Sequence, residues 1–276
     1  MINKNEFPKI YFGTGLSSSK DYESLKSHVK TCLINGIYAF DTAPSYKTEE
    51  FLGKAINENL KELAFGRKDV WIQTKIDGWQ MQDSKGYIKP YIIDALNKMG
   101  QKYFDAVFVH WPFPDYFNET LASLNECKKE GLIKYVGICN VRLRHLKKIP
   151  INKYDICQLE RHPLNTFIEE INFLHKNNKI VQDYSPLCKY CNKIKDNEYL
   201  KNIAKKYNKN IGQIILKWHI QNSTYPIFTS TKDSRIIEYS LKELDSFELT
   251  VDELNGINSL NINFKLYLES IACPGF

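Results

Sequence analysis

GIYAFDTAPSYKTEEFLG, residues 36–53, is the stretch on which the fold turns. Ile37 to Phe40 is a short apolar run ending on a carboxylate, Asp41; a turn carrying Tyr46 follows, then a helix opened by Thr48 and Glu49. Strand, turn and helix in immediate succession make the unit of an α/β protein, where chemistry gathers just past the carboxyl ends of strands. Asp41 and Tyr46 stand there. An Asp in that place can do no more than cap a turn, so its meaning depends on what other strands bring beside it.

The same alternation extends in both directions. Upstream, KIYFGT (9–14) reads as a strand closing on Gly13, Thr14 and Gly15, and residues 21–35 as a helix with Leu25, Val29, Cys32 and Leu33 on one face. Downstream, a helix from Glu49 to about Leu63 leads to VWIQTK (70–75), which ends on Lys75, and a helix over 88–99 leads to AVFVH (106–110), which ends on His110. YVGI (135–138), DICQLE (155–160), KIVQDYS (179–185) and YPIFTS (225–230) complete the set, with helical patterns between them and a last one from Asp233 to near Tyr239. Mostly apolar strands without clean alternation suit parallel strands buried on both faces. Their number and the chain length predict a (β/α)8 TIM barrel, a single domain over residues 1–276. A doubly wound open sheet is the alternative, but Gly13 and Gly15 lack the GxxG continuation of its usual phosphate loop.

Composition narrows the class. With 276 residues, 43% hydrophobic and 25% charged, the chain has the make-up of a soluble globular protein. A net charge of +6, spread among acidic residues, reads as a solvated surface and not as a nucleic-acid stripe. No signal-type apolar segment opens the chain and no run of roughly 18 apolar residues occurs, so a cytoplasmic setting without membrane contact is expected. Of seven scattered cysteines only Cys188 and Cys191 form a CxxC, in a lysine-rich loop and without a second pair at metal-site spacing. No HExxH, GxSxG or P-loop is present, and no metal centre is expected.

In a barrel the strand ends share one rim, which would collect Thr14, Asp41, Tyr46, Lys75, His110, Cys139, Asn140, Gln158, Tyr184 and Ser185. Asp41, Tyr46, Lys75 and His110 make coherent chemistry. An unperturbed tyrosine holds its proton to a pKa near 10; a neighbouring ammonium lowers that, and an Asp keeps the ammonium in place. A histidine opposite can orient a carbonyl oxygen or assist the proton transfer. Taken singly, each residue has a structural reading: a turn cap, a solvated strand end, one tyrosine among 17, a core histidine.

With these motifs in order, the whole chain resembles the aldo-keto reductases, and among them the small bacterial-type members with a short C-terminal tail. GIYAFDTAPSYKTEEFLGKAI is similar to the family's signature, and VWIQTK, DAVFVHWP, GLIKYVGICN, CQLERHP and DYSPL follow in its order. The resemblance implies an NAD(P)H-dependent carbonyl reductase with Asp41, Tyr46, Lys75 and His110 as its tetrad. It implies that Asn140 and Gln158, beside Cys139 where a Ser is usual, hold the nicotinamide carboxamide and that Tyr184 stacks on the ring. Gly13, Thr14, Asp41, Ser185 and Leu187 would line the cofactor, with Ser230 and Arg235 at its phosphate end.

Departures from the family pattern bear on the ligands. Thr229 stands where a lysine usually meets the ribose 2′-phosphate, and Tyr239 where an Asn usually follows Arg235, so NADPH is expected with NADH possible. Gly15 replaces a frequent pocket aromatic, leaving Trp79, Trp111 and Phe113 with Tyr46 and His110 as expected substrate walls, and INFKLYLESIACPGF as a short tail. A small-molecule carbonyl or alcohol is the expected partner, with the protein a monomer or weak homo-oligomer. A cofactor-binding sensor with little turnover, or a pathway-specific dehydrogenase of a sugar or natural-product intermediate, are the alternatives.

Overall fold

The computed structural model describes residues 7–15 and 21–267. Eight strands form one sheet: β1 (Tyr11–Gly13), β2 (Ala39–Asp41), β3 (Trp71–Ile76), β4 (Phe104–Val109), β5 (Ile133–Cys139), β6 (Ile156–Glu160), β7 (Ile180–Tyr184) and β8 (Tyr225–Phe228). Every strand pairs in parallel with its sequence neighbour and β8 returns to β1, so the sheet has no edge.

This corrects the expected (β/α)8 TIM barrel. What the structure has is a closed eight-stranded parallel β-barrel ringed by an uneven set of helices. Single helices α1 (Tyr22–Ile34) and α2 (Glu49–Glu62) follow β1 and β2, but α3 (Gly78–Asp83) and α4 (Lys89–Met99) both follow β3. Then come α5 (Phe117–Lys129), α6 (Leu143–Leu146) and α7 (Ile168–Lys176). Between β7 and β8 lie α8 (Asn192–Lys195), α9 (Glu198–Tyr207) and α10 (Ile211–Gln221), and after β8 come α11 (Asp233–Glu238), α12 (Leu241–Leu244) and α13 (Val251–Asn258). The short helices carry too few apolar positions to show a period. For α13 a local signal exists: Thr250 accepts from the Glu253 N–H while Glu253 accepts from the Thr250 N–H, a reciprocal cap.

Alternation along the strands sorts two layers. Phe12, Phe40, Ile72, Val107, Val136 and Val181 point outward and pack against the helices, where Leu25, Val29, Leu52, Ile56, Leu96 and Leu124 meet them. Tyr11, Ala39, Trp71, Ala106, Ile156 and Ile180 fill the lower barrel interior, with Phe7 against Trp71 and Tyr135 beneath them. Register brings the carboxyl ends level: Gly13 pairs with Asp41, Asp41 with Gln73, Cys139 with Gln158, and Glu160 with Tyr184.

One charged cluster is buried between the barrel and its helices. The Arg161 guanidinium donates to Asp183 Oδ2 at 3.2 Å, to Thr224 Oγ1 at 2.9 Å and to the Thr166 carbonyl at 3.0 Å, and lies over the Trp218 ring. Asp183 Oδ2 also meets His219 Nδ1 at 2.6 Å. Burial works against the Asp183 carboxyl, yet Arg161 and His219 hold it below its ordinary range. The cluster braces the residue before Tyr184. Replacing one partner strands the others without water, so Arg161→Met should lower unfolding free energy by about 3 kcal/mol in denaturant melts.

Among the described residues no helix is long and apolar enough to cross a membrane.

Candidate active site

Asp41 ends β2 inside the barrel, and Lys75, one residue before the end of the fully buried β3, reaches it from the next strand. The Lys75 ammonium donates to Asp41 Oδ2 at 2.6 Å and to the Thr42 carbonyl at 2.9 Å. Burial alone would pull this amine down; the Asp41 charge beside it reverses the sign and raises it, so Lys75 is a fixed cation. Tyr46 closes a single 3-10 turn, Pro44–Tyr46, and its ring centre lies 4.9 Å from the Lys75 ammonium. The expected lowering of the Tyr46 pKa is corrected here. Burial pushes the phenol up to about 12, outweighing the pull of Lys75, and Asp41 adds to the rise. Tyr46 is thus a held proton at neutral pH.

His110, just past β4, stands edge-on to Tyr46 with ring centres 5.9 Å apart. Its Nδ1 meets Asp77 Oδ1 at 2.5 Å. Asp77 escapes the sequence reading, which stopped at Lys75 on this strand. The available signal is position: Asp77 follows Lys75 by two, just past the end of β3, where it caps α3. Asp77 Oδ2 also accepts the Ser45 N–H at 2.8 Å, tying the Tyr46 turn to the histidine.

Beneath Asp41 lies a second feature not foreseen, a ladder of glutamines. Gln73 Nε2 donates to Asp41 Oδ1 at 2.7 Å and to Gln182 Oε1 at 2.9 Å, and Gln158 Nε2 to the same two acceptors at 3.3 and 3.0 Å. Gln73 Oε1 accepts from Gln182 Nε2 at 3.0 Å and from Trp71 Nε1 at 2.9 Å. Gln73 thereby has both amide hydrogens and both lone pairs of its oxygen met without water. Gln73→Leu would leave the Trp71 and Gln182 donors buried and unmet, and should cost about 1–3 kcal/mol in a denaturant titration.

Above these residues opens a cleft of ≈ 570 Å³. Gly13, Gly15, Asp41, Tyr46, His110, Trp111, Asn140, Gln158, Tyr184, Ser185 and Leu187 all lie on its wall, as do Lys189, Thr229 and Tyr267. A Cβ at Gly15 would stand 3.5 Å from the Tyr46 ring, so the absent side chain leaves that phenol uncovered. Asn140 donates to the His110 carbonyl at 2.8 Å and accepts from the Tyr184 hydroxyl at 2.6 Å. Tyr184 in turn stands edge-on to Tyr267, whose N–H is held by Glu160 at 3.1 Å.

Other expected site residues lie off the wall. Thr14 is buried against Thr48 at 2.8 Å, and Cys139 is buried with its thiol pushed up by desolvation. Trp79 is exposed and packs edge-on to Tyr91, while Phe113 fills the space over Gly78. Ser230 closes a turn with Lys232, and Arg235 pairs with Glu238 at 2.6 Å. Tyr239 turns into the core, edge-on to Phe228 and over Gly212, and offers no side chain to a surface ligand. Cys188 and Cys191 bring their sulfurs to 3.5 Å; Cys273 and the tail from residue 268 lie outside the described residues.

A closed parallel barrel whose rim holds a protonated tyrosine over a buried lysine–aspartate pair defines a barrel protein equipped for acid–base work at one cleft. The chain belongs to the aldo/keto reductase family, whose model matches residues 9–262. It is 32% identical over 259 residues to an uncharacterized oxidoreductase of Bacillus subtilis, YtbE, covering 93% of this chain and 90% of that one. It is 31% identical over 270 residues to the methylglyoxal reductase DkgA of Escherichia coli, covering 95% and 92%. Identities at this level define the family and not a bacterial branch within it. The aldose reductase of Schistosoma japonicum shares the fold, with a TM-score of 0.84 at 21% identity over 96% of this chain and 92% of that one.

Proposed function

We propose that this protein reduces a small aldehyde or ketone to the alcohol with a nicotinamide cofactor. The observation that carries the reading is Tyr46: a phenol kept protonated at the cleft, with a cation held beneath it by Asp41. Family membership and the 31% identity to a methylglyoxal reductase support a compact carbonyl substrate.

The donor set suits a nicotinamide carboxamide. Gln158 spends both amide hydrogens on Asp41 and Gln182, leaving its Oε1 as an acceptor at the cleft, and Asn140 keeps one amide hydrogen beyond its bond to His110. These two would hold the carboxamide against Tyr184, and the bound reduced cofactor would supply hydride there. Tyr46 supplies the proton from its hydroxyl to the substrate oxygen. Lys75 favours the phenolate left behind, and Asp41 keeps Lys75 charged and aimed. Trp111 and Tyr267 line the cleft beside these groups. Tyr46→Phe should bind cofactor as before and lose at least about 100-fold in carbonyl turnover. Near-normal turnover would sink the reading.

At the phosphate end we propose NADPH with NADH tolerated. Thr229 and Lys189 lie on the cleft wall, while Arg235 lies off it and is engaged by Glu238. Thr229→Lys should raise the NADPH-over-NADH ratio of kcat/KM by about tenfold, one charge-assisted bond.

A further inference from the structure

His110 and Asp77 decide which way hydrogen bonds run at the cleft. Asp77 accepts from the Ser45 N–H at 2.8 Å and from the Ser45 hydroxyl at 3.3 Å, and its Oδ1 lies 2.5 Å from His110 Nδ1. A carboxylate accepts only, so the hydrogen between Asp77 and His110 sits on Nδ1. In a neutral imidazole the other nitrogen then carries a lone pair. His110 lines the cleft, and Nε2 is the ring nitrogen left to face it.

We propose that Asp77 is a positioning residue that fixes His110 with its hydrogen on Nδ1, so that neutral His110 accepts at Nε2 and Tyr46 alone donates to a substrate oxygen. The last clause rests on the carbonyl-reduction reading; the fixed tautomer does not. Acid reverses the arrangement. Once protonated, His110 offers Nε2–H as a second donor beside Tyr46, and reduction quickens as pH falls through its pKa.

The groups around His110 are consistent with that order. Burial pulls the imidazole below its ordinary range, and Asp77 opposes this. Lys75 on β3 disfavours the imidazolium and Asp41 on β2 favours it. The Tyr46 phenol, from the turn, is uncharged, as is the buried Cys139 thiol on β5. Asp77 itself is desolvated but held below its ordinary range by His110 and Ser45. It is the charge that touches the ring.

Nitrogen NMR on histidine-labelled protein without cofactor tests this directly. The neutral His110 ring should show hydrogen on Nδ1 and a bare Nε2. Asp77→Asn keeps the shape but removes the charge, and should lower the His110 pKa by about one unit, with the acid limb of the kcat/KM profile moving equally. Hydrogen on Nε2 in the neutral wild type, or an unmoved pKa in D77N, would overturn the proposal. If the variant does not fold, the wild-type spectrum decides. Should no carbonyl be reduced at any pH, the reaction reading fails while the spectrum still tests the tautomer.

Discussion

The ion pair between Lys75 and Asp41 is the constraint on which the rest of the rim depends. Both side chains are nearly stripped of water, a costly state that close contact offsets only when every remaining lone pair and hydrogen finds a partner. The structure supplies several such partners to both groups. Asp41 Oδ2 takes the ammonium, Oδ1 takes Gln73 and Gln158, and the ammonium has the Thr42 carbonyl besides. The pair itself joins the neighbouring strands β2 and β3, and Gln158 of β6 reaches it across the barrel interior, so the full set of partners belongs to the closed barrel.

The rim rests on two further buried sets of contacts built on carboxylates. Arg161 and Asp183 brace the end of β7 from outside the barrel, and Glu160 binds the N–H groups of Leu266 and Tyr267 at 2.6 and 3.1 Å. The first holds Tyr184 from behind, and the second brings Tyr267 to the cleft in front of it. Both ends of that wall are thus set by carboxylates on neighbouring strands.

Much of this was legible in the sequence. Apolar runs ending in polar residues located all eight strands, and parallel closure places Asp41, Lys75 and His110 within one site. The misses have physical reasons. Gln73 and Gln182 differ from rim or surface residues only in facing the barrel axis, which depends on strand phase, and Asp77 reads as an ordinary cap of the short α3. Arg161 and Asp183 sit beside apolar runs but look like solvated charges, since a single sequence does not show that each buries the other. The sign at Tyr46 failed because neighbours can be read from a sequence and desolvation cannot. Trp79 shows the converse: an aromatic near the site in sequence, turned away by the short α3.

The glutamine ladder has a consequence of its own. An amide can be turned end for end without changing shape, so three linked amides have more than one self-consistent arrangement. Asp41 removes that freedom. A carboxylate cannot donate, so the Nε2 ends of Gln73 and Gln158 must face it, and both then point their second hydrogen at Gln182 Oε1. Trp71, a donor only, enforces the same sense from below. The barrel interior therefore carries a polarity: one carboxylate at the rim and one indole near the floor dictate the direction of every hydrogen bond between them.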